Sequence, residues 1–224
     1  MSRCAAIVLS AGVGSRMKSD IPKQYLMLGE RPVIYYCLKA FEESSVDTIV
    51  LVTGAGDEEY CRKQIVQRYG LTKVQHIVAG GKERYDSVYE GLCALKEDAA
   101  DYVLIHDGAR PVITQDIIAR SIETVQKEKA CVAGMPVKDT IKVADRSDYA
   151  ISTPDRRTLW QVQTPQSFSY KCIMEAYRIL QEKQRSNETL PAITDDAMLV
   201  EQMTAMKIKL IQGSYENIKI TTPE

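Results

Sequence analysis

"AAIVLSAGVGSRMKSDIPKQY", residues 5–25, decides how the chain is read. Ala5, Ala6, Ile7, Val8 and Leu9 form an unbroken apolar run. That is the pattern of a strand covered on both faces, not of one with a wet side. The run stops at Ser10. Gly12 and Gly14 then let the backbone turn tightly and approach a neighbour closely. Arg16 and Lys23 put positive charge around the turn. In open α/β sheets, ligands collect just beyond the carboxyl ends of strands. On this stretch alone a structural turn with two solvated cations remains an equal reading, because short glycine motifs recur by accident.

The same rhythm continues outward. After a first strand at 4–10, strand patterns recur at 47–53 (DTIVLVT), 74–79 (VQHIVA), 101–106 (DYVLIH) and 130–136 (ACVAGMP). Helical spacing lies between them. Pro32 suits a first helical turn ahead of Ile34, Leu38 and Phe41. Residues 57–69 follow Asp57 as a cap, 84–96 carry Val88, Leu92 and Leu95, and 114–128 follow Thr114 with Ile118, Ile122 and Val125. Alternating strand and helix predicts an α/β fold: one doubly wound, mostly parallel sheet with helices on both faces. The rhythm breaks after Pro136. Residues 137–163 read as a β excursion made of VKDTIKV and LWQVQT around the polar turn DRSDY. A helix at 169–184, a polar loop, and two strands at 207–211 and 217–221 complete the pattern.

Composition narrows the function classes. A chain of 224 residues with 45% hydrophobic content suits one domain with a sizeable core. Lys plus Arg number 29 against 30 Asp plus Glu, a net charge of −1. Bulk charge therefore does not draw the chain to nucleic acid or to an anionic membrane, and any anion binding must be local. The six cysteines are widely spaced, with no CxxC and no zinc spacing, as small core residues in a reducing compartment would be. The start lacks a signal-peptide pattern and the apolar runs are far shorter than a membrane span. A soluble, cytoplasmic protein is expected.

The loops past the strands carry the chemistry. They are SAGVGSR, GGKER, DGARP and PVKDT, one rim of small residues, arginines and an acid. The first is not a P-loop, since GK[ST] is missing, and it is a poor dinucleotide fingerprint, since Met17 stands where a third small residue belongs. Its cations exceed what a pyrophosphate needs at a helix terminus. They suit a triphosphate attacked by a second anion, so phosphoryl or nucleotidyl transfer is favoured over hydride transfer. Asp107, beside Gly108 and Ala109, has room to hold Mg2+ through one oxygen; the alternative reading is an aspartate that caps the next loop. His106, at the end of an apolar run, reads as structural.

Seven stretches in order carry a resemblance: SAGVGSRMKSDIPKQY, GGKERYDSV, HDGARP, PVKDTIK, TPDRRTLWQVQTPQ, ITDDA and ENIKITTPE. Together they resemble the 2-C-methyl-D-erythritol 4-phosphate cytidylyltransferases of the non-mevalonate isoprenoid pathway, over essentially the whole chain. The resemblance implies a Rossmann-like, GT-A-like nucleotidyltransferase domain that uses CTP and Mg2+. It implies that Ser10, Ala11, Gly12 and Gly14 wrap CTP, and that Arg16 and Lys23 stabilise charge on its α-phosphate. Gly80, Gly81, Arg84 and Ser87 would hold the cytosine and ribose end, and Asp107 the metal. Arg110, Thr140, Arg156, Thr164 and Thr194 would line the acceptor pocket, with Lys219 reaching back to the reacting phosphates. A homodimer with interlocking excursions is implied, with 137–163 as the arm. Of the adjacent Arg156 and Arg157, an extended segment would turn only one inward, and the motif DRxxLW selects Arg156. Ser10 and Gly108 stand where the family more often has alanine, and the family continues past TTPE into a terminal helix. Two rivals share part of the pattern: a ribitol 5-phosphate cytidylyltransferase and a nucleotide-binding protein without turnover. PVKDTIK together with DRxxLW speaks against the first, and Arg16, Lys23 and Asp107 together against the second.

Overall fold

In the computed structural model the opening apolar run is a strand at the heart of the molecule. Residues 2–12, 21–95, 100–186, 188 and 192–221 are described. Along the chain lie β1 (Cys4–Ser10), β2 (Met27–Leu28), β3 (Arg31–Pro32), α1 (Val33–Glu42), β4 (Thr48–Thr53) and α2 (Glu58–Tyr60). A π-helical turn, Cys61–Gln67, prolongs α2. Then come β5 (Val74–Ala79), α3 (Arg84–Cys93), β6 (Tyr102–Asp107), α4 (Gln115–Glu128) and β7 (Ala130–Pro136). The remainder is β8 (Val143–Ala144), β9 (Ala150–Ser152), β10 (Trp160–Ser169), α5 (Tyr170–Arg185), α6 (Asp196–Met203) and β11 (Lys209–Gln212).

Seven strands form one sheet in the order β11-β7-β10-β6-β1-β4-β5. All neighbours are parallel except β10, which runs antiparallel to both β6 and β7. Side chains alternate across each strand, so β1 feeds two cores. Ala6 and Val8 pack on one face with Ile34, Leu38 and Phe41 of α1 and Ile118 of α4. Ala5 and Ile7 pack on the other with Val88 and Leu92 of α3 and Ile173 and Tyr177 of α5. Burying an aliphatic side chain of this size contributes about 1.5–3 kcal/mol, which explains why a continuous apolar run marks this strand. The doubly wound, mostly parallel sheet is the fold expected from the alternation of periods.

Three local expectations change. The Thr114 hydroxyl does accept from the Ile117 N–H at 3.4 Å, but the Asp57 side chain accepts no capping bond and its helix passes into the π turn. The stretch LWQVQT is not part of the excursion: Trp160 begins β10, which returns through the main sheet. Gln163 of that stretch and Gln166 just after it are buried and hydrogen-bonded. The excursion that remains carries the β8–β9 hairpin. Residues 217–221 form no strand; Ile220 donates its N–H to the Ala109 carbonyl at 2.9 Å, so the segment lies along the loop that follows β6. Among the described residues no helix is long and apolar enough to cross a membrane.

Candidate active site

Because β1, β4, β5 and β6 are parallel, their carboxyl ends open at one edge of the sheet. A cavity of about 210 Å3 lies there, lined by Ser10, Ala11, Gly12, Lys23, Gly81, Arg84, Ser87, Asp107 and Lys219, among others. The loops round it touch. A Cβ on Gly80 would stand 2.4 Å from the Ala11 Cβ and 2.6 Å from the Ser87 Oγ, so only glycine lets the β5 loop close on the β1 loop. Gly12 differs: among the described residues, a Cβ there would meet no atom within 4 Å. The Ser87 hydroxyl turns back to the Glu83 carbonyl at 3.2 Å.

Asp107 is the electrostatic centre. Lys219 Nζ lies 2.7 Å from its Oδ2, Arg84 Nε 3.4 Å from its Oδ1, and Arg110 Nε 3.9 Å from its Oδ2. Burial by itself would raise the pKa of this carboxyl; the charges of Arg84, Lys219 and Arg110 outweigh burial and hold it well below the usual carboxylate range. Arg84 has a second anion, with its Nη2 in ionic contact with Asp196 Oδ2 at 2.8 Å. Burial raises the pKa of Asp196, and the Arg84 charge opposes that rise. The Asp195 side chain accepts from the Met198 N–H at 2.8 Å and caps α6. One acid of the pair therefore closes a helix while the next reaches across to Arg84.

Beneath Asp107 lies a closed polar network. The Asp107 N–H donates to the Thr164 hydroxyl at 3.1 Å, and that hydroxyl lies 3.0 Å from His106 Nδ1. His106 Nε2 lies 3.1 Å from the Arg110 carbonyl. These partners fix one tautomer: Thr164 donates to Nδ1 and the Nε2–H donates to the carbonyl. Burial pushes the imidazole pKa down to about 4, so the ring is neutral at pH 7 with both nitrogens engaged. His106 is structural, as its place at the end of an apolar run implied. Asn217, fully buried, donates to Gln163 Oε1 and to the Thr164 carbonyl and accepts from Arg110 Nη1 at 2.7 Å. These bonds anchor the segment that delivers Lys219.

The expected site residues fall into four groups. Ser10, Ala11, Gly12, Lys23, Gly81, Arg84, Ser87, Asp107 and Lys219 meet in the cavity, with Gly80 and Arg110 packed beside it. Gly14 and Arg16 lie outside the described residues. Thr140, Arg156 and Thr194 are exposed and do not line this cavity. Arg156 donates to the Lys138 carbonyl at 2.8 Å, whereas Arg157 folds onto Asp155. The two arginines do diverge, but from a 3-10 turn, Arg156–Thr158, rather than from an extended segment. Thr164 is buried, with its hydroxyl already engaged between His106 and Asp107. Residue-by-residue reading missed Gln24 and Asn217. The signal available for them was only that each sits inside a quoted motif.

A doubly wound sheet with cations ringed around one aspartate at its carboxyl edge is the architecture of an α/β nucleotidyltransferase. The chain belongs to the 2-C-methyl-D-erythritol 4-phosphate cytidylyltransferase family (IspD), whose model matches residues 4–224. It is 56% identical over 220 residues to the enzyme of that name from Lachnospira eligens, covering 98% of this chain and 94% of the relative. The Lachnoclostridium phytofermentans enzyme of the same name is 48% identical, covering 100% and 93%. Among solved structures, the 4-diphosphocytidyl-2C-methyl-D-erythritol synthase of Anaerococcus prevotii superposes with a TM-score of 0.84 at 33% identity, covering 99% and 92% of the two chains.

Proposed function

We propose that this chain transfers the cytidylyl group of CTP to the phosphate of 2-C-methyl-D-erythritol 4-phosphate and releases pyrophosphate. The observation that carries the reading is the convergence of Lys23, Arg84, Asp107 and Lys219 on one cavity with Gly12, at the carboxyl edge of the sheet. A phosphate oxygen of the acceptor attacks the α-phosphorus of CTP, the bond from that phosphorus to the β-bridging oxygen breaks, and its electrons leave with pyrophosphate. The acceptor is a phosphate monoester with a second pKa of about 6, largely dianionic at neutral pH, so no general base is required. His106, neutral and doubly hydrogen-bonded, is consistent with that.

The barrier is repulsion between two anions, and catalysis is alignment plus charge stabilisation. Lys23 and Lys219 neutralise the reacting phosphates, with Arg16 assigned to the same task by family resemblance. Ser10, Ala11, Gly12 and Gly14 wrap the triphosphate. Gly80, Gly81, Arg84 and Ser87 hold the nucleoside end. Arg110, Thr140, Arg156 and Thr194 serve the acceptor, with Thr164 acting from beneath by setting the Asp107 backbone.

The carboxylates that line the cavity are Asp107 and Glu83, and no group of three or more His, Cys, Asp or Glu side chains gathers among the described residues. That donor set fits Mg2+ arriving with a triphosphate, since Mg2+ is commonly held by one or two carboxylates plus substrate oxygens. Asp107 is the residue that would hold it, and the ion would supply charge stabilisation on the phosphates.

The working unit is a homodimer. Val143, Tyr149 and Ile151 of the hairpin arm are exposed apolar side chains that a second copy would cover, bringing the arm residues Thr140 and Arg156 to an acceptor pocket. Six free cysteines, four of them buried, suit a cytoplasmic setting. The test is pyrophosphate release from CTP with methylerythritol phosphate, with ribitol 5-phosphate and with no acceptor. Release only with the first is expected; release with ribitol 5-phosphate alone, or with neither acceptor, overturns the assignment.

A further inference from the structure

Gln24 is a polar side chain at the floor of the cavity, only 3% exposed. Its Nε2 donates to the Ser10 carbonyl at 2.6 Å and to the Gly12 carbonyl at 3.1 Å. Both partners are acceptors, so only the amide NH2 can serve them, and both of its protons are used. We propose that Gln24 is the positioning residue of the phosphate-binding turn, holding these two carbonyls out of the triphosphate's space. The inference rests on the nucleotide reading of the cavity given above.

The physical reason is peptide planarity. In a trans peptide the carbonyl and the following N–H point in opposite directions. Tying the Ser10 carbonyl to Gln24 turns the Ala11 N–H the other way, as a donor for phosphate. A carbonyl left to swing into the cavity would present negative charge to an anion. Gln24 also belongs to the 3-10 turn Lys23–Gln24–Tyr25, so the residue that pins the glycine turn is covalently adjacent to the lysine facing the same cavity. Tyr25 adds a second pin: its hydroxyl lies 3.3 Å from Ser10 Oγ and 3.0 Å from Cys61 Sγ. Turn and lysine are thus set by one three-residue element, and Gln24 is the link between them.

Two variants separate positioning from packing. Gln24→Met keeps the bulk and removes both donors. Gln24→Glu keeps the shape but sets a carboxylate against two carbonyl oxygens, and only protonation returns one donor. CTP binding is measured by titration calorimetry with CTP and Mg2+, beside steady-state pyrophosphate release. Both variants are expected to bind CTP at least tenfold more weakly at pH 8 while the acceptor KM stays within about twofold. The Gln24→Glu deficit shrinks as pH is lowered to about 5.5, as the introduced carboxyl takes up its proton, and the Gln24→Met deficit does not. CTP affinity within about threefold of wild type in either variant overturns the proposal. So does a joint rise of both KM values, or global unfolding of the variants, because a residue acting through one turn leaves the core intact. If the wild-type chain binds CTP but releases no pyrophosphate, the assigned reaction fails while the binding comparison still decides the role of Gln24. If it binds no CTP, both readings fall.

Discussion

Replacing Asp107 by asparagine keeps the shape of the side chain and removes the one anion that three cations share. Lys219, Arg84 and Arg110 stand 2.7, 3.4 and 3.9 Å from its oxygens. Removing one partner of a buried ion pair costs about 3–5 kcal/mol, because the remaining charge is left uncompensated. Here the Lys219 and Arg84 side chains are 34% and 30% exposed, so water screens part of the loss. Arg84 also keeps Asp196. A destabilisation of about 2–3 kcal/mol is therefore expected. For a chain of this length, that corresponds to a fall in Tm of roughly 5–10 °C. The assay is thermal unfolding without divalent cation, with and without sodium pyrophosphate. Pyrophosphate replaces the missing negative charge, so it should raise the Tm of Asp107→Asn by more than it raises that of the wild type. The pH dependence has a definite sign. The folded pKa of Asp107 lies below its unfolded value of about 3.9, so its contribution is present above that pH and lost below it. The gap between wild type and variant should stay flat from about pH 5 to 8 and close below about pH 4. A variant Tm within about 1 °C of wild type, or equal stabilisation of both proteins by pyrophosphate, would refute the idea that Asp107 is held as a shared counter-ion.

Lys23→Met should lose turnover by a hundredfold or more, about 3 kcal/mol, while CTP still binds in calorimetry; near-normal turnover would remove Lys23 from the reaction. Arg156→Ala should raise the acceptor KM with the CTP KM little changed, and a defect confined to the nucleotide would contradict its place on the acceptor side. The rate at low acceptor concentration should fall as pH drops through about 6, where the acceptor's phosphate takes up a proton. Replacing His106 by glutamine should leave that midpoint in place, because the ring is already neutral, with a pKa of about 4; a shift of the midpoint would make His106 a participant.

Legibility in the sequence follows a physical division. Elements defined by apolar periodicity were readable: the run Ala5–Leu9 can be continuous only in a strand covered on both faces, and β1 has helices on both sides. Elements held by polar side chains were not. Gln163 lies in a strand of the main sheet where the excursion was expected, and the amides of Gln163 and Gln166 bond to the Ser214 carbonyl and to Asp195. Asn217 did the reverse, replacing an expected ladder at 217–221 with side-chain bonds. The site divides the same way. Ser10, Gly12, Lys23 and Asp107, which meet in the cavity, were legible because residue type and place past a strand end imply anion chemistry; Lys219, read inside an expected strand, was put there by family resemblance alone. Which hydroxyl faces the cavity is a property of the packed core: Thr164 lies under Asp107 because β10 runs antiparallel to β6, which brings these two residues, 57 positions apart, within hydrogen-bond distance. Asp195 and Asp196 make the point most sharply. Adjacent and identical, they diverge because the first residue of α6 turns inward while its cap stays at the helix mouth. One acid closes a helix; the other reaches Arg84 across the fold, a contact that local spacing does not encode.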